Sequence, residues 1–478
     1  MRSSRLLGKR MEKILIRDGY VITLDSRRRI LKKGSVLLEG DRIAKVGEEI
    51  KVKADVVIEA KGMAVLPGLV NAHTHSPMTL FRGFADDMEL DPWLREKIWP
   101  VEARLKAEDC YAGALLACAE MIKSGTTCFA DMYFFMEKVA EAVGKSGLRA
   151  SLSHGMIELG IPERGEEELR KGEKLVREYH GSFGGRIRTM FGPHAPYTCS
   201  PEFLRRVGEK AKEYGVGIHL HLSETEREVR EVKKRYGKSP VRLLHSLGLL
   251  GSGLLAAHCV WMEEEEIELI ARTGTRPVHN PTSNLKLASG VSPVPSMLER
   301  GIPVALGTDG AASNNSLDMF QEMKFAALVH KGWERDPTRM PAERVLEMAT
   351  LHGAMALGLE REIGSLEEGK KADLILVNLR HPRLFPVHNV ISQLVYASSG
   401  EVVDTVVVDG RILMRNRNLL SLREEEVLKM AEEASSRLFE EEWEESGDEL
   451  IRLEEELEKK RRKRGKYRAV YRKAHRGP

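Results

Sequence analysis

Between residues 63 and 310, short apolar runs alternate with helical stretches, and several of the runs end on histidine, glutamate or aspartate. Eight candidate strands end near His75, Met132, His154, His194, Glu224, His258, Asn280 and Asp309, and the segment from Ser316 to Gly358 supplies closing helices. Strands alternating with helices predict a parallel sheet with crossover connections. Eight such units predict an α/β fold, a (β/α)8 TIM-type barrel whose chemistry lies at the C-terminal ends of its strands.

The two ends of the chain read differently. Residues 12–66 carry short strands with tight turns at Asp18-Gly19 and Gly40-Asp41, and a similar texture returns in 359–420, as in Ala372–Asn378 and Val403–Gly410. These segments predict one small β-sandwich domain built from both chain ends, flanking a barrel over 67–358. Residues 421–478 form a charged helical extension that ends in a basic tail. Lys459 to Arg476 holds eleven Lys/Arg and no Asp/Glu; removing these from the formal net charge of +3 leaves −8 for the rest. The tail reads as a solvated segment or outer helix, with nucleic-acid binding as the alternative.

No run approaches the ~18 apolar residues of a membrane span, and no apolar segment follows the basic first ten residues as a signal peptide would require. Met11 is a candidate start. The five cysteines are odd in number and scattered, with no CxxC pair, which points to a reducing, cytoplasmic compartment.

The run Met63–Ala72 leads into His73-Thr74-His75. Residues two apart on a strand face the same side, so both imidazoles can reach one ion. Ile218-His219-Leu220-His221-Leu222 alternates likewise; His221, nearer the strand end, is the candidate ligand and His219 a buried, hydrogen-bonded neighbour. Asp309 follows the buried run Val304–Thr308, where a carboxylate either ligates a cation, takes a proton from water or caps a helix. Three histidines and one aspartate suit Zn2+, with Fe2+ second, and are poor for Ca2+ or Mg2+. Glu224 and His258 are placed for the proton transfers that hydrolysis requires; their bland readings are a salt-bridged loop residue and a hydrogen-bonded strand end.

Over about residues 12–415 the chain resembles the amidohydrolase superfamily. Within that superfamily, Pro67–His75, Trp99-Pro100-Val101-Glu102, Gly192–Tyr197, His221–Glu224, Asn280–Leu287 and Gly307–Asn315 resemble the 5′-methylthioadenosine/S-adenosylhomocysteine deaminases, which include 5′-deoxyadenosine deaminases. The resemblance implies one divalent metal held by His73, His75, His221 and Asp309, and hydrolytic attack at C6 of an adenine ring. It implies that Glu224 protonates ring N1, that His258 and Asp309 manage the water and ammonia protons, that Glu102 holds the ribose hydroxyls and that His194 contacts the purine. An inosine-type nucleoside and ammonia result.

At His154 the chain departs from the arginine common among relatives that accept S-adenosylhomocysteine, and Arg164 is the one candidate for a second carboxylate contact. A neutral 5′ group, as in 5′-deoxyadenosine or 5′-methylthioadenosine, is therefore expected to be used at least as well. Competing readings are an aminohydrolase of guanine, cytosine or triazine type and a non-catalytic binding scaffold. Glu102 argues against a free base, which has no ribose to hold. The expected partners are a small nucleoside and further copies of the chain, with no membrane.

Overall fold

The computed structural model describes residues 12–439. The candidate start Met11 and the basic run Lys459–Arg476 lie outside the described residues. Eight parallel strands hydrogen-bond in chain order: β1 (Leu69–Thr74), β2 (Thr126–Tyr133), β3 (Arg149–Met156), β4 (Ile187–Pro193), β5 (Gly217–Leu222), β6 (Leu254–His258), β7 (Arg276–His279) and β8 (Ala305–Leu306). All eight residues of β2, and likewise of β3, are buried. Helices cover one face and the barrel interior the other, so these strands read as continuous apolar runs rather than alternating ones.

The crossover helices follow ordinary rules. In Pro201–Tyr214, Ser200 caps the N-terminus by accepting the Phe203 N–H, and Gly215 ends the helix in the left-handed region at φ 65. Its buried residues Phe203, Leu204, Val207 and Ala211 form the stripe that packs on the barrel. Closure depends on Gly307 just after β8, where a Cβ would sit 2.8 Å from the His73 nitrogen. Without that side chain, the Asp309 N–H reaches the His73 carbonyl at 2.9 Å and brings the end of β8 against the end of β1.

Strands from both chain ends meet in one continuous mixed sheet of nine strands, and this is the form the expected sandwich takes. Met63–Pro67 pairs antiparallel with Leu374–Asn378, so the segment that enters the barrel is clamped by the chain that leaves it. Below the barrel, Arg149 at the start of β3 donates to Asp373 at 2.9 and 3.1 Å and to Asp409 at 3.2 Å. Lys371 continues this ion network to Asp409 at 3.0 Å.

The charged stretch beyond residue 420 begins as a helix over 424–439 that packs on the barrel through Val427, Ala431, Ala434 and Leu438. These positions recur at helical spacing on one face. Phe439 ends the stripe against Phe81 and Phe84.

Candidate active site

Four groups able to ligate a metal ion, His73, His75, His221 and Asp309, converge at the C-terminal mouth of the barrel. His75 Nε2 lies 3.1 Å from Asp309 Oδ1, His73 Nε2 lies 3.4 Å from the same oxygen, and His221 Nε2 lies 3.3 Å from His75 Nε2. His258 also reaches this cluster, since its nearest nitrogen lies within 4.8 Å of ligand atoms of His73 and Asp309.

The hydrogen-bond roles test whether a cation fits. His75 Nδ1 faces the Met132 carbonyl at 2.5 Å and His221 Nδ1 faces the His194 carbonyl at 2.8 Å. A carbonyl only accepts, so both Nδ1 atoms carry protons, and in the neutral rings both Nε2 atoms turn lone pairs inward. His73 Nε2 is buried with no hydrogen-bond partner. Asp309 Oδ2 accepts from Ser283 at 2.6 Å and Ser313 at 2.7 Å, which leaves Oδ1 aimed at the imidazoles. Inward lone pairs and a carboxylate oxygen repel one another unless positive charge lies among them, so the donor set fits a divalent ion of zinc type. Protonation shows the same potential: burial opposes a charged His75, yet the hydrogen bond and charge of Asp309 raise it to about 9. Burial pushes Asp309 up, but His73 and His75 outweigh it and hold the carboxylate well below its ordinary range.

Beside the cluster opens a cleft of about 710 Å³, partly open to solvent, walled by Trp93, Leu94, Trp99, Phe134 and Tyr197. Glu224 is buried there, with Oε2 3.8 Å from His258 Nε2, and burial raises its pKa. His258, at φ 74, turns out of β6 and sets Nδ1 2.8 Å from Asn284 Oδ1. Glu102 accepts from the Tyr133 hydroxyl at 2.7 Å; burial pushes its carboxyl up to about 7, with Tyr133 pulling the other way. His194 holds Nδ1 2.9 Å from the Thr198 hydroxyl, and burial lowers its pKa to about 3, so the ring is neutral.

Two expectations need correction. Arg164 does not line the cleft: it is exposed in the first turn of the helix Pro162–Tyr179, whose buried stripe is formed by other residues. His154 does not line it either. Strand alternation turns Gly155 toward the cleft and His154 into a neighbouring groove, where it lies 2.7 Å from Glu168.

The sequence did not single out the residues that hold these candidate groups in place. Glu228 accepts the N–H groups of Ser223 at 3.1 Å and Glu224 at 2.8 Å, and so fixes the turn that carries Glu224. Burial pushes Glu228 up to about 8. The pattern Thr225-x-x-Glu228 is a capping-box signature that could have drawn attention to it. Ser283, Asn284 and Ser313 lie within the stretches 280–287 and 307–315 that carry the family resemblance, but nothing marks them individually, because a hydroxyl or amide near a strand end is common.

The profile of the amidohydrolase family matches residues 64–413. The chain belongs to the amidohydrolase family. Among relatives of this amidohydrolase, the 5′-deoxyadenosine deaminase of Methanosarcina acetivorans is 54% identical over 428 residues, covering 90% of this chain and 99% of that protein. The 5-methylthioadenosine/S-adenosylhomocysteine deaminase of Moorella thermoacetica is 53% identical over 421 residues, covering 87% and 97%. A zinc-bound crystal structure of an adenosine deaminase from Xanthomonas campestris superposes with a TM-score of 0.85 at 37% identity, covering 89% of this amidohydrolase and 98% of that chain.

Proposed function

We propose that this amidohydrolase hydrolyses the exocyclic amine of adenosine-type nucleosides, releasing ammonia and an inosine-type product. The observation that carries this reading is the convergence of His73, His75, His221 and Asp309 beside a buried acid, Glu224, in a cleft that Glu102 also lines. The activities named for the half-identical relatives support it. A Zn2+ ion, or Fe2+ in second place, held by those four residues would supply the Lewis acidity that makes water nucleophilic at neutral pH.

The residues divide the remaining work. Glu224, whose pKa burial raises, holds a proton and delivers it to ring N1 as C6 becomes tetrahedral. His258, with Nδ1 directed at Asn284, presents Nε2 toward the cluster; with Asp309 it takes the two protons of water, passing one to the departing amine and returning the other to Glu224, whose Oε2 lies 3.8 Å from His258 Nε2. Glu102 accepts the ribose hydroxyls, and His194 meets the purine. In the same reading the enzyme is a cytoplasmic homo-oligomer: all five cysteines are free and buried, and Phe325, Leu328 and Trp333 are exposed on one helix. Among the described residues no helix is long and apolar enough to cross a membrane.

The test is ammonia release from adenosine, 5′-deoxyadenosine, 5′-methylthioadenosine and S-adenosylhomocysteine. Among the described residues no lysine or arginine lines the cleft itself, whereas Glu102, Glu224 and Asp309 do; Arg95 and Arg227 line the adjoining groove, and both are paired with Asp91. A substrate carboxylate would therefore lack a charge-assisted contact of ~1.5–3 kcal/mol, roughly tenfold or more in kcat/KM. The expected order places 5′-deoxyadenosine or 5′-methylthioadenosine at or above S-adenosylhomocysteine. A tenfold preference for S-adenosylhomocysteine would reject the neutral-tail assignment, and activity on guanine or cytosine alone would reject the nucleoside reading. Elemental analysis should find about one metal per chain; two tightly held ions would contradict the four-ligand set.

A pH profile checks Glu102. As a ribose acceptor it works ionised, so kcat/KM should fall on the acid side through the carboxyl's pKa, raised toward about 7. The Tyr133 hydrogen bond lowers that value, so Tyr133→Phe should move the acid limb to higher pH. A limb that stays in place would detach it from Glu102.

A further inference from the structure

Of the three histidines read as metal ligands, two are oriented by backbone carbonyls, those of Met132 and His194. The third is oriented by a side chain: His73 Nδ1 lies 2.8 Å from His219 Nε2, and both rings are fully buried. His219 Nδ1 in turn lies 3.4 Å from the Ser153 hydroxyl. We propose that His219 is a positioning residue that fixes the tautomer of His73, so that His73 Nε2 offers its lone pair to the metal. This rests on the reading of His73 as a ligand.

For Nε2 of His73 to bind a cation, its proton must sit on Nδ1, and that N–H needs an acceptor in a site closed to water. The acceptor is His219 Nε2, so the His219 proton sits on Nδ1 and points to Ser153 Oγ. Each ring stays neutral and each polar atom has one role. A carboxylate at this position would accept equally well but would add a buried negative charge to a site that already holds Asp309. An imidazole orients the ligand without changing the charge of the cluster.

The experiment measures zinc affinity of the full-length protein by competition with a chelating dye, alongside melting of the metal-free protein. Glutamine's amide oxygen reaches as far from the backbone as Nε2, whereas asparagine stops short and leucine offers no acceptor. Loss of an outer partner of a metal ligand typically weakens binding 10–100-fold, so His219→Leu and His219→Asn should lose zinc affinity by about that factor and His219→Gln should stay within about threefold of wild type. Where His219→Leu fails to fold, the asparagine and glutamine pair decides alone. Equal affinity in all variants, or equal loss in asparagine and glutamine, overturns the proposal. Wild-type protein that binds no zinc would instead overturn the metal site itself.

Discussion

Replacing Glu224 by glutamine should lower kcat by ~10²–10⁴-fold, the usual contribution of a general acid–base group, while zinc content and KM stay near wild type. Glutamine keeps the shape of the side chain and a hydrogen bond to ring N1, so the substrate still binds. It cannot cycle a proton between water and the purine. Its turn is held by Glu228 through two backbone N–H groups, so the substitution leaves the local fold in place. Steady-state kinetics with metal analysis on the same sample checks this. A kcat within a few-fold of wild type would remove Glu224 from proton transfer, and loss of zinc would make it a ligand.

Replacing Arg149 by methionine should destabilise the protein by about 3–5 kcal/mol, the cost of removing one partner from a buried ion pair. Arg149 and Asp373 each have side chains only 1% exposed, and the guanidinium bridges Asp373 to Asp409 beneath the barrel. Without it Asp373 keeps its hydrogen bond from the Asp409 N–H but loses its cation, although Lys371 still faces Asp409. Denaturant unfolding at matched zinc concentration would show the loss. Adding Asp373→Asn should restore part of it, because the stranded charge is then gone. A destabilisation under about 1 kcal/mol would mean that water reaches the cluster and relieves the charge.

The barrel was readable because each strand is short, apolar and buried on both faces, and because turn and helix signals separate the strands. His73, His75, His221 and Asp309 were readable for a related reason: a charged or metal-binding side chain at the end of a buried run is costly unless it has a function. Their convergence required only that eight parallel strands close. The lining of the cleft beside β3 was not readable. His154 and Gly155 are neighbours on β3, and only the strand's orientation in the barrel decides which one faces the cleft. Arg164 looked available because its charge can be read from the sequence, whereas the rotation of its helix depends on which face packs inward.

The sequence by itself determined the fold class and the candidate ligand set, since periodicity and residue type are local properties. Tertiary structure alone decided which groups hold the ligands in place. Ser283 fixes Asp309, Asn284 fixes His258, and His219 fixes His73, although Ser283 lies 26 residues from Asp309, Asn284 26 from His258 and His219 146 from His73. Those contacts arise where separate strand ends meet across the barrel mouth, and no local pattern encodes a hydrogen bond between side chains so far apart in the chain.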